Sequence, residues 1–106
     1  MRNLIEIHKA ATVAENGKDV NVRESSKLTL QIFGTSATHV VSFYGSLNGD
    51  DFAPLEGLYL GDTIVVANNS SGINQLWEFD VEILVTFRAV LTSISDGNIS
   101  VLAITK

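Results

Sequence analysis

With 106 residues, 45% of them hydrophobic and 18% charged, the chain has the make-up of a single globular domain, 1–106. A chain of this size buries roughly 65% of the surface its unfolded form exposes, so it can support its own core. The net charge of −5 and the seven scattered Lys and Arg residues argue against general nucleic-acid binding, which needs clustered cations. The absence of cysteine excludes disulfides and Cys-ligated zinc, and no apolar run approaches the roughly 18 residues of a membrane span.

The pattern of apolar residues along the chain is that of short strands joined by turn chemistry. Leu4 to Lys9 alternates polar and apolar residues, which predicts a strand and not the continuous apolar stretch of a secretory signal, so synthesis in a cytoplasm is expected. Ala11 to Glu15 and Asp19 to Arg23 flank Asn16-Gly17, a pair suited to positive φ, and the spacing predicts a hairpin. Residues 1–25 thus read as a hairpin or an N-terminal arm, and 27–105 as the body of the domain.

Lys27 to Phe33 sets Leu28, Leu30 and Ile32 against Lys27, Thr29 and Gln31, giving one apolar face. Thr38 to Ser46 follows, with Val41 and Phe43 on one face and Val40, Ser42 and Tyr44 on the other. Asn48-Gly49-Asp50-Asp51 reads as a turn, with Pro54 beyond it where it need not donate to a ladder. Leu55 to Leu60 and Asp62 to Ala67 read as short strands, Asn68 to Gly72 as a polar loop, and Gln75 to Val81 and Ile83 to Ile94 as further strands. The tight turn Asp96-Gly97-Asn98 then leads to a last strand, Asn98 to Thr105, which predicts a closing hairpin. No segment keeps a capped 3.6-residue period, so helix is not expected. Eight to ten short strands at this spacing predict an all-β, antiparallel, jelly-roll-like sandwich. Its predicted core is Leu28, Leu30, Ile32, Val41, Phe43, Phe79, Phe87, Ala89 and Leu91.

The chemistry-bearing residues give no catalytic set. His8 and His39 lie in different predicted strands without a partner at ligand spacing and read as structural or surface residues. Asp50, Asp51 and Glu56, with Asp62 as a fourth, could offer oxygens to calcium but do not follow the twelve-residue calcium loop; acidic turns are usually just solvated. Glu78, Asp80 and Glu82 alternate along one face and read as a solvated acidic row. No glycine-flanked nucleophile turn is present. The expectation is a non-enzymatic protein with no cofactor and no bound metal.

Two features exceed an ordinary core. Phe43, Phe79 and Phe87 fall in phase with the core, whereas Tyr44, Phe52, Tyr59 and Trp77 do not settle so readily; Tyr44, Tyr59 and Trp77 are candidates for stacking a glycan, although large aromatics are more often buried. In the last two strands both faces are apolar, with Val90 and Ile94 opposing Val85, Phe87, Ala89 and Leu91, and Leu102 and Ile104 opposing Val101 and Ala103. Val90, Ile94, Leu102 and Ile104 therefore read as an assembly face covered by another subunit or by the N-terminal segment.

The run from Lys27 to Ser36, the run from Val40 to Phe52 with its Gly45-Ser46-Leu47-Asn48-Gly49 turn, and the later Trp77 to Val81, Phe87 to Ala89 and Ser95 to Val101 resemble small phage and prophage structural proteins over residues 27–105. The resemblance implies a virion-associated β-sandwich such as a capsid decoration, head-fibre or tail accessory protein. The expected function is a non-catalytic virion building block, a homo-oligomer with a trimer favoured, that meets other virion proteins. The alternative is a carbohydrate- or cell-surface-binding module using Tyr44, Tyr59 or Trp77.

Overall fold

The computed structural model describes residues 4–61 and 63–106. Eleven antiparallel strands form two facing sheets, and no helix occurs among the described residues. The strands are β1 (Leu4–Ala11), β2 (Val20–Asn21), β3 (Lys27–Gly34), β4 (His39–Ser46), β5 (Ala53–Pro54), β6 (Gly57–Tyr59), β7 (Val66–Ala67), β8 (Asn69–Ser70), β9 (Gln75–Asp80), β10 (Thr86–Ile94) and β11 (Ile99–Thr105). One sheet has the order β1-β11-β3-β9-β6-β7; the other runs β2-β10-β4-β5, with β8 also paired to β4. The expected antiparallel β-sandwich is what the chain forms.

Period-two alternation places the core where the sequence predicts it. All nine predicted core residues are 0 or 1% exposed. Phe43 lies 4.8 Å from Phe79 and 5.2 Å from Trp77 between ring centroids, and Phe79 lies 4.8 Å from Phe87. Rings from both sheets thus meet in tilted and edge-on contacts, the favoured arrangements for aromatic pairs.

The connections differ from the sequence reading. Strands β10 and β11 belong to different sheets: β10 pairs with β4 and β2, and β11 with β3 and β1. The Asp96 turn therefore carries the chain across the sandwich and closes no hairpin. Gly97 nevertheless has φ +59°, a left-handed conformation that suits glycine. The Asn16-Gly17 pair makes no hairpin either. Gly17 has φ +72°, but Glu15 bridges to Leu91, and Lys18 N–H donates to the Ile7 carbonyl at 3.1 Å. The segment 4–19 thereby contacts both sheets, and Leu4–Ala11 is a full member of the first one beside β11. The segment is no detached arm.

Two predicted strands are also redivided. The stretch 53–59 starts in one sheet as β5 and ends in the other as β6, crossing at Leu55-Glu56. The segment before β10 is a turn and not strand, closed by Leu84 N–H donating to the Val81 carbonyl at 3.0 Å.

Candidate functional site

The outer face of the six-stranded sheet carries an apolar surface that follows from register. Antiparallel partners point to the same side of a sheet, and one cross-strand row runs Val66, Leu58, Glu78, Thr29, Ile104, Leu4. A second row runs Leu76, Gln31, Leu102, Glu6. Leu4 is 61% exposed, Val66 58%, Leu76 45% and Leu58 38%, while Leu102 and Ile104 are half-buried by their neighbours. A small depression of about 80 Å³ between Leu4, Leu76, Leu102 and Ile104 marks the middle of this surface. With strands about 4.8 Å apart, the six strands span roughly 24 Å. A solvated outer face normally shows polar residues here.

This surface contains half of the predicted assembly face. Leu102 and Ile104 are in it. Val90 faces outward from the opposite sheet, where it pairs with Ser42, and Ile94 packs against the core after a bulge between Leu91 and Ser93. The four do not share a face because β10 and β11 do not share a sheet. The sequence reading missed Leu4, Leu58, Val66 and Leu76. Their signal is an apolar residue in the outward phase of an alternating strand, as at Leu76 between Gln75 and Trp77.

The aromatic candidates separate. Trp77 is 3% exposed and belongs to the core, its indole N–H donating to Gln75 Oε1 at 3.0 Å. Tyr59 is half-buried against it, with ring centroids 5.5 Å apart. Trp77 presents no free ring face for stacking. Tyr44 is half-buried on the outer face of the other sheet, across from Arg88. There the Arg88 guanidinium sits 3.8 Å from the Phe52 ring centroid and donates from Nε and from an Nη to the two Asp19 carboxylate oxygens at 2.8 and 3.0 Å. Phe52 is thus already stacked by a side chain of the protein itself.

Both histidines are structural. The ring of His8, 1% exposed, donates from Nε2 to the Ala89 carbonyl at 2.7 Å, and His39, 3% exposed, donates from Nε2 to the Gly72 carbonyl at 2.7 Å. A carbonyl can only accept, which fixes a proton on Nε2 in each ring. Asp96, at the sheet-crossing turn, accepts from the Ser36 hydroxyl at 3.0 Å and from the Ala37 and Thr38 amides at 3.2 and 3.0 Å. These bonds, the Ala37 amide's first, hold its carboxyl below the ordinary 3.8. His39 Nδ1 lies 3.1 Å from Ser36 Oγ, so serine stands between aspartate and histidine. That is the reverse of a nucleophilic triad, in which histidine takes the serine proton and the carboxylate orients histidine.

The acidic residues stay at the surface. Asp51 accepts from the Asn48 amide at 2.9 Å, Asp50 and Glu56 are exposed, and Asp62 lies outside the described residues. Of the predicted acidic row, Glu78 and Asp80 share a face of β9, whereas Glu82 sits in the turn beyond it and its N–H donates to Asp80. Among the described residues no three His, Asp or Glu side chains converge as metal ligands.

The SPBc2 prophage-derived protein YomS superposes with a TM-score of 0.92 over 99% of this chain and 92% of its own, at 24% identity. The PBSX exported protein XepA superposes with a TM-score of 0.94 over 99% of this chain at 23% identity, and this chain spans 37% of its length. No curated protein matches the chain in sequence. The two structural relatives are prophage proteins sharing this two-sheet fold. The XepA family model matches residues 2–105, nearly the whole chain, and the protein therefore belongs to the XepA family.

Proposed function

We propose that this protein is a non-catalytic component of a phage particle that acts by self-association, and by contact with other particle proteins, through the outer face of its six-stranded sheet. The observation that carries this reading is the pair of cross-strand rows in which Leu4, Leu58, Val66, Leu76, Leu102 and Ile104 stand where solvent-facing polar residues are expected. Covering them with a second copy removes apolar area from water at about 25 cal/mol per Å². Closed symmetry multiplies each contact by the number of subunits. Glu6, Glu78, Thr29 and Gln31 within the rows supply polar groups that fix register across such an interface. The phage context is supported by membership of the XepA family and by the two prophage relatives.

Sedimentation velocity at micromolar concentration tests this. The parent protein is expected as an oligomer and the variant carrying Leu102→Asp with Ile104→Asp as a folded monomer. Both side chains are half-buried, so a second variant, Leu4→Glu with Leu76→Glu, places charge on residues 61% and 45% exposed whose replacement leaves the core intact. A monomeric parent, or an oligomer that persists in this second variant, would remove the assembly reading.

A further inference from the structure

A second apolar surface lies at one end of the sandwich, away from the outer sheet face. The chain leaves β4 through residues 46–51 and enters β10 through residues 81–85, and these two connections with β5 enclose a cup of about 470 Å³. That volume falls within the roughly 300–1,000 Å³ of binding pockets. Gly45 shapes its floor: a Cβ there would stand 2.8 Å from Leu84 Cδ1, so glycine lets Leu84 lie over the sheet end without moving aside. Leu55 and Leu84 form the floor and Pro54 a wall. Leu47, 67% exposed, and Ile83, 81% exposed, stand at the rim.

The cup is held open by bonds already made. Asn48 Oδ1 accepts from the amides of Asp50 and Asp51, both at 2.9 Å, and its Nδ2 donates to Asp51 Oδ2. Ser46 Oγ accepts from the amides of Asn48 and Gly49. Val85 N–H donates to the Ser46 carbonyl at 2.8 Å, tying the two connections together. A partner would therefore meet a preorganised surface, which lowers the entropy cost of docking.

The charge around the cup says what kind of partner fits. Asp51 lines it, and an adjoining depression on the far side of Ile83 is lined by Asp80 and Glu82 with Leu55 and Leu84. Among the described residues no Lys or Arg lines either one. Lys27 stands opposite Asp80 in register but makes no ion pair with it; the ion pairs among the described residues are His8–Glu15 and Arg88–Asp19. An apolar ridge with unpaired carboxylates on both sides complements an apolar side chain flanked by cations. The same carboxylates, on a chain of net charge −5, oppose an anionic lipid surface and a second copy of the chain.

We propose that this cup docks a segment of a different protein in which an aliphatic or aromatic side chain is flanked by lysine or arginine. The apolar side chain enters between Leu47 and Ile83, and the cations reach Asp51 on one side and Asp80 and Glu82 on the other. The experiment is selection from a displayed random peptide library on the immobilised full chain, followed by fluorescence anisotropy with one synthetic peptide from the enriched pool. Enriched peptides should carry an apolar residue between Lys or Arg. Ile83→Asp should weaken binding about tenfold or more, because it sets a charge against the docked apolar side chain. Asp80→Lys with Glu82→Lys should weaken it at low salt, and Leu102→Asp with Ile104→Asp should leave it unchanged. An empty selection, a pool without the basic-apolar pattern, or affinity unchanged in Ile83→Asp would overturn the proposal. So would Ile83-dependent co-sedimentation with phosphatidylglycerol vesicles, which would reassign the ridge to membrane contact.

Discussion

Replacing Gly97 with alanine tests how the chain crosses between the sheets. Gly97 has φ +59°, and a Cβ there would lie 2.8 Å from the backbone nitrogen of Ser36 and 2.8 Å from the carbonyl carbon of Thr35. Those backbone atoms are not free to retreat. The Thr35 and Ser36 amides donate to the Asn98 carbonyl at 3.0 and 3.1 Å, and Asn98 N–H donates to Thr35 Oγ1 at 3.1 Å. The left-handed dihedral costs a non-glycine residue about 1–2 kcal/mol, and forcing a methyl into a filled space costs about 1–3 kcal/mol more. Gly97→Ala should therefore destabilise by about 2–5 kcal/mol. Gly49 is the control, because its φ is +82° but its Cβ would make only an ordinary 3.6 Å contact with Thr86 Oγ1. Gly49→Ala should cost only the dihedral part, about 1–2 kcal/mol. Guanidinium titration followed by the fluorescence of buried Trp77 measures both, with unchanged slope confirming a pure stability effect. If Gly97→Ala costs no more than Gly49→Ala, the crossing turn is not clamped against Thr35 and Ser36.

Other perturbations probe separate parts of the molecule. Phe87→Ala removes a ring 0% exposed that packs on Phe79 and should cost about 3–5 kcal/mol in the same titration; a variant as stable as the parent would show that the two sheets do not meet at this ring. Asp96 has its carboxyl lowered by three hydrogen bonds, so its contribution is present above the ordinary 3.8 and is lost as pH falls through the lower folded value. Thermal melts of the parent and of Asp96→Asn should therefore converge as pH drops below about 4, and a gap that stays constant with pH would show that the charge is not what those three donors recognise.

The sandwich was legible in the sequence because its central strands obey period two over long stretches. Leu28, Leu30 and Ile32, or Phe87, Ala89 and Leu91, can bury only one face of a strand, and no other element fits that spacing. The partner of each strand was not legible. Inward residues of β10 and β11 meet the same core whether the two strands lie side by side or face each other across it. The Asp96-Gly97-Asn98 signal reports a backbone reversal with positive φ, and both arrangements need one. Non-local pairing with β4 and β3 decides between them. The same gap hid the candidate surface: Leu4, Leu58 and Val66 come to share a face with Leu102 and Ile104 only once β1, β6 and β7 take their places in the first sheet. Leu47 stands as a single apolar residue at a turn, and Ile83 opens an apolar run, Ile83-Leu84-Val85, that reads as the start of a strand. Alternation gives the first no role and places the second in β10, although the chain is still turning there.

The pairing of β1 with β11 ties residue 4 to residue 104 and residue 11 to residue 99 in one ladder. A ribosome delivers β1 long before β11, so β1 waits while nearly the whole domain emerges. Until then its apolar residues have no strand beside them, and β3 has an open edge on the side that β11 will fill. Loop closure over such distances is slow compared with local pairing. Strand β11 therefore acts as the kinetic latch of the domain: a nascent chain lacking residues 99–105 would leave β1 and β3 each with an unpaired side that the finished sheet closes.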